Sequence, residues 1–150
     1  MSEKFVLLLR HGIAEKKGDK PDEKRRLTKK GNREMSRIAE GLARLLPKVD
    51  AIYSSPLIRA IETAAWVADA YDLGVTPTDA LRNEATTEDV RQVIEESGAK
   101  RIILVGHEPS LSRHMLGLTG MRGIIELEKG GCYAIQEGRL VWMLPPDASP

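Results

Sequence analysis

Three short stretches of this chain put arginine and histidine where an apolar run ends. Phe5-Val6-Leu7-Leu8-Leu9 leads into Arg10-His11-Gly12, Ala51-Ile52-Tyr53 into Ser54-Ser55-Pro56 with Arg59 just beyond, and Ile102-Ile103-Leu104-Val105-Gly106 into His107-Glu108-Pro109. These residue types suit phosphoryl transfer. Phosphoryl oxygens need permanently charged, multidentate donors, and guanidinium supplies them. An imidazole with one unprotonated ring nitrogen can attack phosphorus. A second imidazole, protonated, can stabilise the charge that builds on the oxygens. Gly12 would let backbone approach the phosphate closely, and a helix opening at Pro109 or Ser110 would add N–H groups and a partial positive charge. No step of this chemistry requires a metal or another cofactor, and none is expected.

The same apolar runs define the elements that must hold these groups. Phe5–Leu9 and 101–106 read as strands buried on both faces, and 51–54 as a shorter one. Thr28 caps a helix carrying Met35, Ile38, Leu42, Leu45 and Leu46, which stops before Pro47. A second helix spans about 57–71, with Ile58, Ile61, Ala65 and Ala68 on one face. An edge strand near Val75–Thr76 follows, then a helix capped by Thr87 and ending near Gly98. A fourth helix carries Leu111, Met115 and Leu118 inward. Three closing strands are expected at 124–128, 132–136 and 139–144, with turns at Gly130-Gly131 and Glu137-Gly138. The alternation predicts one α/β domain over residues 1–150 in three layers: a mostly parallel sheet, helices on both faces, and antiparallel C-terminal edge strands. Residues 145–150, with three prolines, read as a frayed tail. In such a sheet ligands collect beyond the carboxyl ends of the strands, where the two histidines and two arginines fall.

Composition narrows the partners. Lys and Arg number 23 against 22 Asp and Glu, a formal net charge of +1, so neither nucleic acid nor a membrane surface is expected as a partner. Cys132 is the single cysteine, which excludes an internal disulfide and a thiolate metal cluster. Phe5–Leu9 is too short to span a bilayer, and its flanks do not fit a signal peptide. The expected location is cytoplasmic.

"LRHG", "SSPLIRAIETA" and "VGHEPSL", in this order and each at a strand exit, resemble the histidine phosphatase superfamily, which includes phosphoglycerate mutases and acid phosphatases. The short chain and "RRLTKKG" before the first helix resemble the SixA-type phosphohistidine phosphatases within it. The resemblance implies a phosphoglycerate mutase-like fold. It implies His11 as the nucleophile that takes the phosphoryl group, Arg10 and Arg59 as its ligands, and His107 as the second imidazole. It also implies an arginine from "KRRLT". Arg26 stands where the family often has proline, so either Arg25 or Arg26 fills that place.

Superfamily members acting on esters need a general acid, and the candidate here is Glu84 in "LRNEATTED". Glu88 and Asp89 read instead as first-turn residues of a helix. An imidazole leaves phosphorus readily once protonated, so phosphohistidine depends less on an enzyme acid than an alkyl ester does. The short stretch between Tyr71 and Arg101 leaves little chain for a cap, which implies an open pocket. A phosphohistidine-bearing protein is therefore the expected substrate, with small phosphate esters as the alternative and a non-catalytic phosphate-binding domain as a third reading. His114 and Cys132 read as structural, and the basic run Lys24–Lys30 as a solvated face that partly rims the pocket.

Overall fold

The computed structural model describes residues 4–148. Within them the chain forms β1 (Phe5–Arg10), α1 (Lys29–Leu45), β2 (Ala51–Ser54), α2 (Ile58–Tyr71), β3 (Thr76–Pro77), α3 (Thr87–Ser97), β4 (Arg101–Gly106), α4 (Ser110–Thr119), β5 (Cys132–Gln136) and β6 (Arg139–Leu144). The strands lie in one six-stranded sheet, ordered β3-β2-β4-β1-β5-β6. β1, β2, β3 and β4 run parallel, and β5 and β6 add antiparallel pairings at one edge.

The apolar run of β1 is continuous because both of its faces are covered. Leu7 and Leu9 pack with Met35, Ile38, Leu42, Ala60, Ala64 and Val67 of α1 and α2. Val6 and Leu8 pack with Val90, Ile94, Leu111 and Met115 of α3 and α4. This is the three-layer α/β arrangement expected from the alternation of elements.

Several local expectations hold in detail. Thr28 caps α1, its hydroxyl accepting from the Gly31 N–H at 2.9 Å. Glu137 and Gly138 turn the β5–β6 hairpin with φ of 51° and 74°, the positive values a tight two-residue turn needs.

Others shift. β3 falls at Thr76–Pro77. The cap of α3 is Thr86, in a reciprocal capping box with Asp89, while the Thr87 hydroxyl lies 3.0 Å from His114 Nδ1. The buried face of α2 runs through Ala60, Thr63, Ala64 and Val67 rather than Ile58, Ile61 and Ala65; the small residues face the sheet and let the helix lie close to it.

The expected strand at 124–128 does not form, and Gly130-Gly131 is not a hairpin turn. Ile125 is 77% exposed and Leu127 2% exposed, so the pattern reflects one anchored leucine. Side chains take the backbone groups a ladder would have used. Leu127 N–H donates to Glu108, Leu127 C=O accepts from Arg10, and Ile125 C=O accepts from the Tyr133 hydroxyl. At the C-terminus, Pro146–Ala148 form a 3-10 turn, and the Pro146 carbonyl accepts from Arg37 at 2.8 Å. The rest of the expected tail, 149–150, lies outside the described residues.

Gly31 marks where α1 locks the loop after the first strand. A β-carbon there would collide with the Ile13 carbonyl, which also accepts from Thr28 N–H at 3.0 Å. Gly31→Ala is expected to destabilise the fold by roughly 1–3 kcal/mol, the usual cost of overpacking. Urea unfolding checks this, and an unchanged midpoint would show that the crossing has slack.

Candidate active site

The parallel register of β1 and β4 places the two imidazoles. Arg10 pairs with Gly106, so His11 and His107 are each the first residue beyond the paired ends. The ladder continues one step past the strands, with His11 N–H donating to the Gly106 carbonyl at 3.0 Å. Adjacent strands lie about 4.8 Å apart, and the two ring centroids are 5.2 Å apart. β2 flanks β4 on its other side, bringing Ser55 to the same end, and the first turn of α2 brings Arg59.

The two imidazoles and Arg59 line a pocket of about 480 Å³. Arg10, His11, Arg25, Arg59, Glu84 and His107 all border it. Gly12 does not. Its missing β-carbon faces Met35 Cγ at 2.7 Å, its N–H donates to Thr63 Oγ1 at 3.0 Å, and its carbonyl lies 2.7 Å from His11 Nδ1. Gly12 therefore packs against α1 and orients the imidazole, where close approach to the ligand was expected.

A carbonyl oxygen can only accept, so His11 Nδ1 carries the proton in that contact and Nε2 keeps its lone pair. His11 is 6% exposed. Burial lowers its pKa to about 3; the Gly12 carbonyl opposes this, while His107, Arg59 and Arg10 reinforce it. His107, 4% exposed, is lowered to about 4, first by burial and then by Arg59. Its Nε2 lies 2.7 Å from Ser55 Oγ. Its Nδ1, and the Nε atoms of Arg10 and Arg59, are buried without a partner among the described residues. Buried polar groups are normally satisfied, so three orphaned nitrogens on side chains around one pocket fit a site built for an oxyanion.

Asp22 organises the guanidinium groups from the opposite wall. Arg59 donates to the Asp22 carbonyl at 2.9 Å and to its carboxylate at 3.2 Å. Arg25 donates Nε to the same carboxylate at 2.9 Å and reaches the Glu15 carbonyl at 2.6 Å. Partial burial works against the Asp22 carboxylate, but the bonds from Arg25 and the charge of Arg59 outweigh it and hold the pKa below its ordinary value. Arg26 points elsewhere, to Glu62 at 2.7 Å. The choice left open by the sequence thus falls on Arg25. Arg59 pairs with Asp22, and Glu62, its helix neighbour, serves Arg26.

Glu84 sits exposed at the pocket rim, in the turn before α3. Sequence reasoning did not single out Ser55, Asp22, Thr63 or Glu108. Thr63 was within reach, since it follows Arg59 by one helical turn and shares its face. Asp22 opens a three-residue 3-10 turn, Asp22–Lys24, too short for any periodicity to mark it.

The described residues contain no group of three or more His, Cys, Asp or Glu side chains placed to hold a metal ion. No described helix is long and apolar enough to cross a membrane.

Comparison with known proteins gives concordant results. The family model described as histidine phosphatase superfamily (branch 1) matches residues 6–88. A phosphohistidine phosphatase SixA homolog from Haemophilus influenzae is 26% identical, over 91% of this chain and 87% of the relative. Among solved structures, the protein histidine phosphatase SixA complexed with tungstate superposes with a TM-score of 0.85 at 20% identity, covering 95% of this chain and 97% of that one. A mycobacterial glucosyl-3-phosphoglycerate phosphatase bound to inorganic phosphate gives 0.76 at 16% identity, covering 97% and 100%. The two structures share the fold of this chain.

Three histidines buried neutral make stability pH-dependent. His11, His107 and His114 have pKa values lowered from 6.5 to about 3, 4 and 4, chiefly by burial. The unfolded chain therefore binds more protons between these values and 6.5, so stability falls as pH drops through that window. Each ring is expected to cost up to about 2 kcal/mol at about pH 5 relative to neutral pH. Urea titrations at about pH 7 and about pH 5 measure the difference; equal unfolding free energies would mean that the rings are not held neutral in the fold.

Proposed function

Because the chain belongs to the histidine phosphatase superfamily (branch 1), we propose that it is a metal-independent phosphatase working through a phosphorylated His11, with a phosphohistidine side chain on another protein as substrate. The observation that carries this is the His11–His107 pair. One ring has its proton fixed on Nδ1, and the other lies 5.2 Å from it, centroid to centroid, in a pocket that Arg10 and Arg59 also line.

In the first step His11 Nε2 forms a bond to phosphorus as the bond to the leaving nitrogen breaks, and the departing imidazole leaves protonated or takes a proton from solvent. Arg10, Arg59 and Arg25 hold the phosphoryl oxygens. Arg25 and Arg59 exchange contacts with Asp22 for contacts with phosphate. The incoming negative charge favours protonation of His107, whose Nδ1–H then donates to an oxygen while Nε2–H donates to Ser55 Oγ. In the second step water attacks phosphorus, the P–Nε2 bond breaks, and inorganic phosphate leaves.

The substrate reading draws support from the exposure of Glu84 at the pocket rim. The Haemophilus relative, a phosphohistidine phosphatase SixA homolog, points the same way. The favoured alternative is a small phosphate ester, because a structural neighbour with the same fold is a glucosyl-3-phosphoglycerate phosphatase.

His11→Ala should lower turnover by more than about a thousandfold, and Arg59→Ala by roughly a hundredfold. Both follow from phosphate release by the purified protein, and full activity in His11→Ala would eliminate the mechanism. Substrate class is settled by comparing a phosphohistidine-bearing protein with p-nitrophenyl phosphate and a sugar phosphate. Glu84→Gln should leave phosphohistidine hydrolysis within about twofold while depressing ester hydrolysis. An equal loss on both would assign Glu84 a role in each reaction and argue against the P–N substrate.

A further inference from the structure

Glu108 follows His107 directly and borders the pocket, yet its carboxylate faces neighbouring donors. One oxygen accepts from Ser112 N–H at 2.8 Å. The other accepts from the Ser112 hydroxyl at 2.7 Å and from Leu127 N–H at 2.7 Å. A general acid must present a proton to the leaving group. Here a proton would have to displace one of three good donors, so the arrangement suits an anchor.

What it anchors is the irregular segment between α4 and β5. Leu127, whose N–H Glu108 takes, presents its carbonyl to Arg10 NH1 at 2.6 Å. Arg10 comes from the last position of β1, and its backbone N–H is fixed by the Gly131 carbonyl at 2.9 Å. Its side chain would otherwise have wide rotamer freedom. The Leu127 carbonyl removes that freedom and leaves Nε buried and unpartnered in the pocket wall. No strand ladder fixes residue 127 at this point, so the position of its carbonyl depends on side-chain ties. Glu108 supplies one. Tyr133 supplies another, its hydroxyl donating to the Ile125 carbonyl at 2.6 Å and lying 3.0 Å from the Ser112 hydroxyl.

We propose that Glu108 is a positioning residue for Arg10: through the Leu127 peptide it sets where the Arg10 guanidinium meets the phosphoryl oxygens. This rests on the reading of Arg10 as a phosphate ligand. Glu108 thus joins the strand end that carries His107 to the guanidinium beside His11, through one carboxylate and one peptide unit. Glutamine in its place can accept with one oxygen only, and its NH2 group would confront an N–H donor, which releases Leu127 or Ser112.

A double-mutant cycle tests this, with inorganic phosphate as the probe and calorimetric Kd as the readout, alongside kcat/KM on the preferred substrate. Glu108→Gln should weaken phosphate binding about tenfold, since a guanidinium held off its productive position loses most of its contact. In an Arg10→Ala background the same change should cost less than about twofold, because there is no guanidinium left to position. Tyr133→Phe keeps the buried ring and removes only the hydroxyl tie. It should weaken phosphate binding in the same direction by a smaller factor, again only when Arg10 is present, and it carries the test if Glu108→Gln does not fold. Equal losses with and without Arg10 would overturn the proposal, by showing that Glu108 acts through His107 or through general stability. Normal phosphate binding in both Glu108→Gln and Tyr133→Phe would overturn it as well. If Arg10→Ala binds phosphate like the parent protein, the assignment of Arg10 as a ligand fails, and this proposal with it. If that variant binds weakly but the cycle is additive, only this proposal fails.

Discussion

Leu7, Leu8 and Leu9 of β1 pair with Ile103, Leu104 and Val105 of β4, and none of the six retains solvent exposure. Alternate side chains enter different cores, so a one-residue slip would send every leucine into the wrong one. The interior is close-packed on both faces and tolerates little change of shape. The same slip would move His11 by about 3.3 Å relative to His107, enough to separate the two rings. Hydrophobic packing thus sets the geometry of the polar site one residue beyond it. Nothing in the pocket needs to hold the imidazoles together; the core does so, and the polar contacts only set their rotation and protonation.

Charge is arranged around that pair so that the site becomes balanced when phosphate enters. Two imidazoles, buried at 6% and 4% exposure, sit near Arg10, Arg25 and Arg59. Burial first, and the charge of Arg59 and Arg10 after it, make protonating either ring unfavourable, as both lowered pKa values record. The Asp22 carboxylate compensates part of the charge by binding Arg25 and Arg59. On the proposed reaction, an arriving phosphoryl group would offer these guanidiniums a stronger acceptor and give His107 a reason to take a proton. The Nδ1 proton of His11 is already committed to Gly12, so its Nε2 keeps the lone pair that reaction needs. In that reading one backbone carbonyl and one serine hydroxyl give two chemically identical side chains different roles.

The elements legible in the sequence were those whose apolar runs serve a single purpose. β1 and β4 are buried on both faces and read as unbroken runs; Thr28 caps α1 where its hydroxyl meets a free N–H. His11, Arg59 and His107 stood out because each follows such a run or opens the helix after it. The segment 124–128 misled because three aliphatic residues imitate a strand while side chains from β1, β5 and the turn before α4 satisfy its backbone. Gly12 misled because a glycine beside a reaction centre suggests close approach of ligand, whereas the space it leaves is filled by Met35. Arg25 and Arg26 are adjacent and chemically equivalent, and contacts distant in sequence separate them: Arg25 reaches the Glu15 carbonyl beside the pocket while Arg26 is held by Glu62. Asp22 was hidden for a related reason: Arg59, the partner that ties it to the site, is close in space and 37 residues away in sequence, so no local pattern announces the pair.

The irregular segment also explains how so short a chain completes a phosphate site. A further ladder strand at 124–128 would have spent its backbone groups on a neighbour. Left irregular, the segment offers Leu127 C=O to Arg10, and residues 130–131 close over the end of β1, with Gly130 N–H donating to the Arg10 carbonyl and Gly131 accepting from the Arg10 N–H. Backbone polar groups must be satisfied somewhere, and here a functional arginine and a carboxylate at the head of α4 satisfy them. The loop's conformation is therefore held by groups in or beside the pocket, unlike the exposed turn before α3 where Glu84 lies.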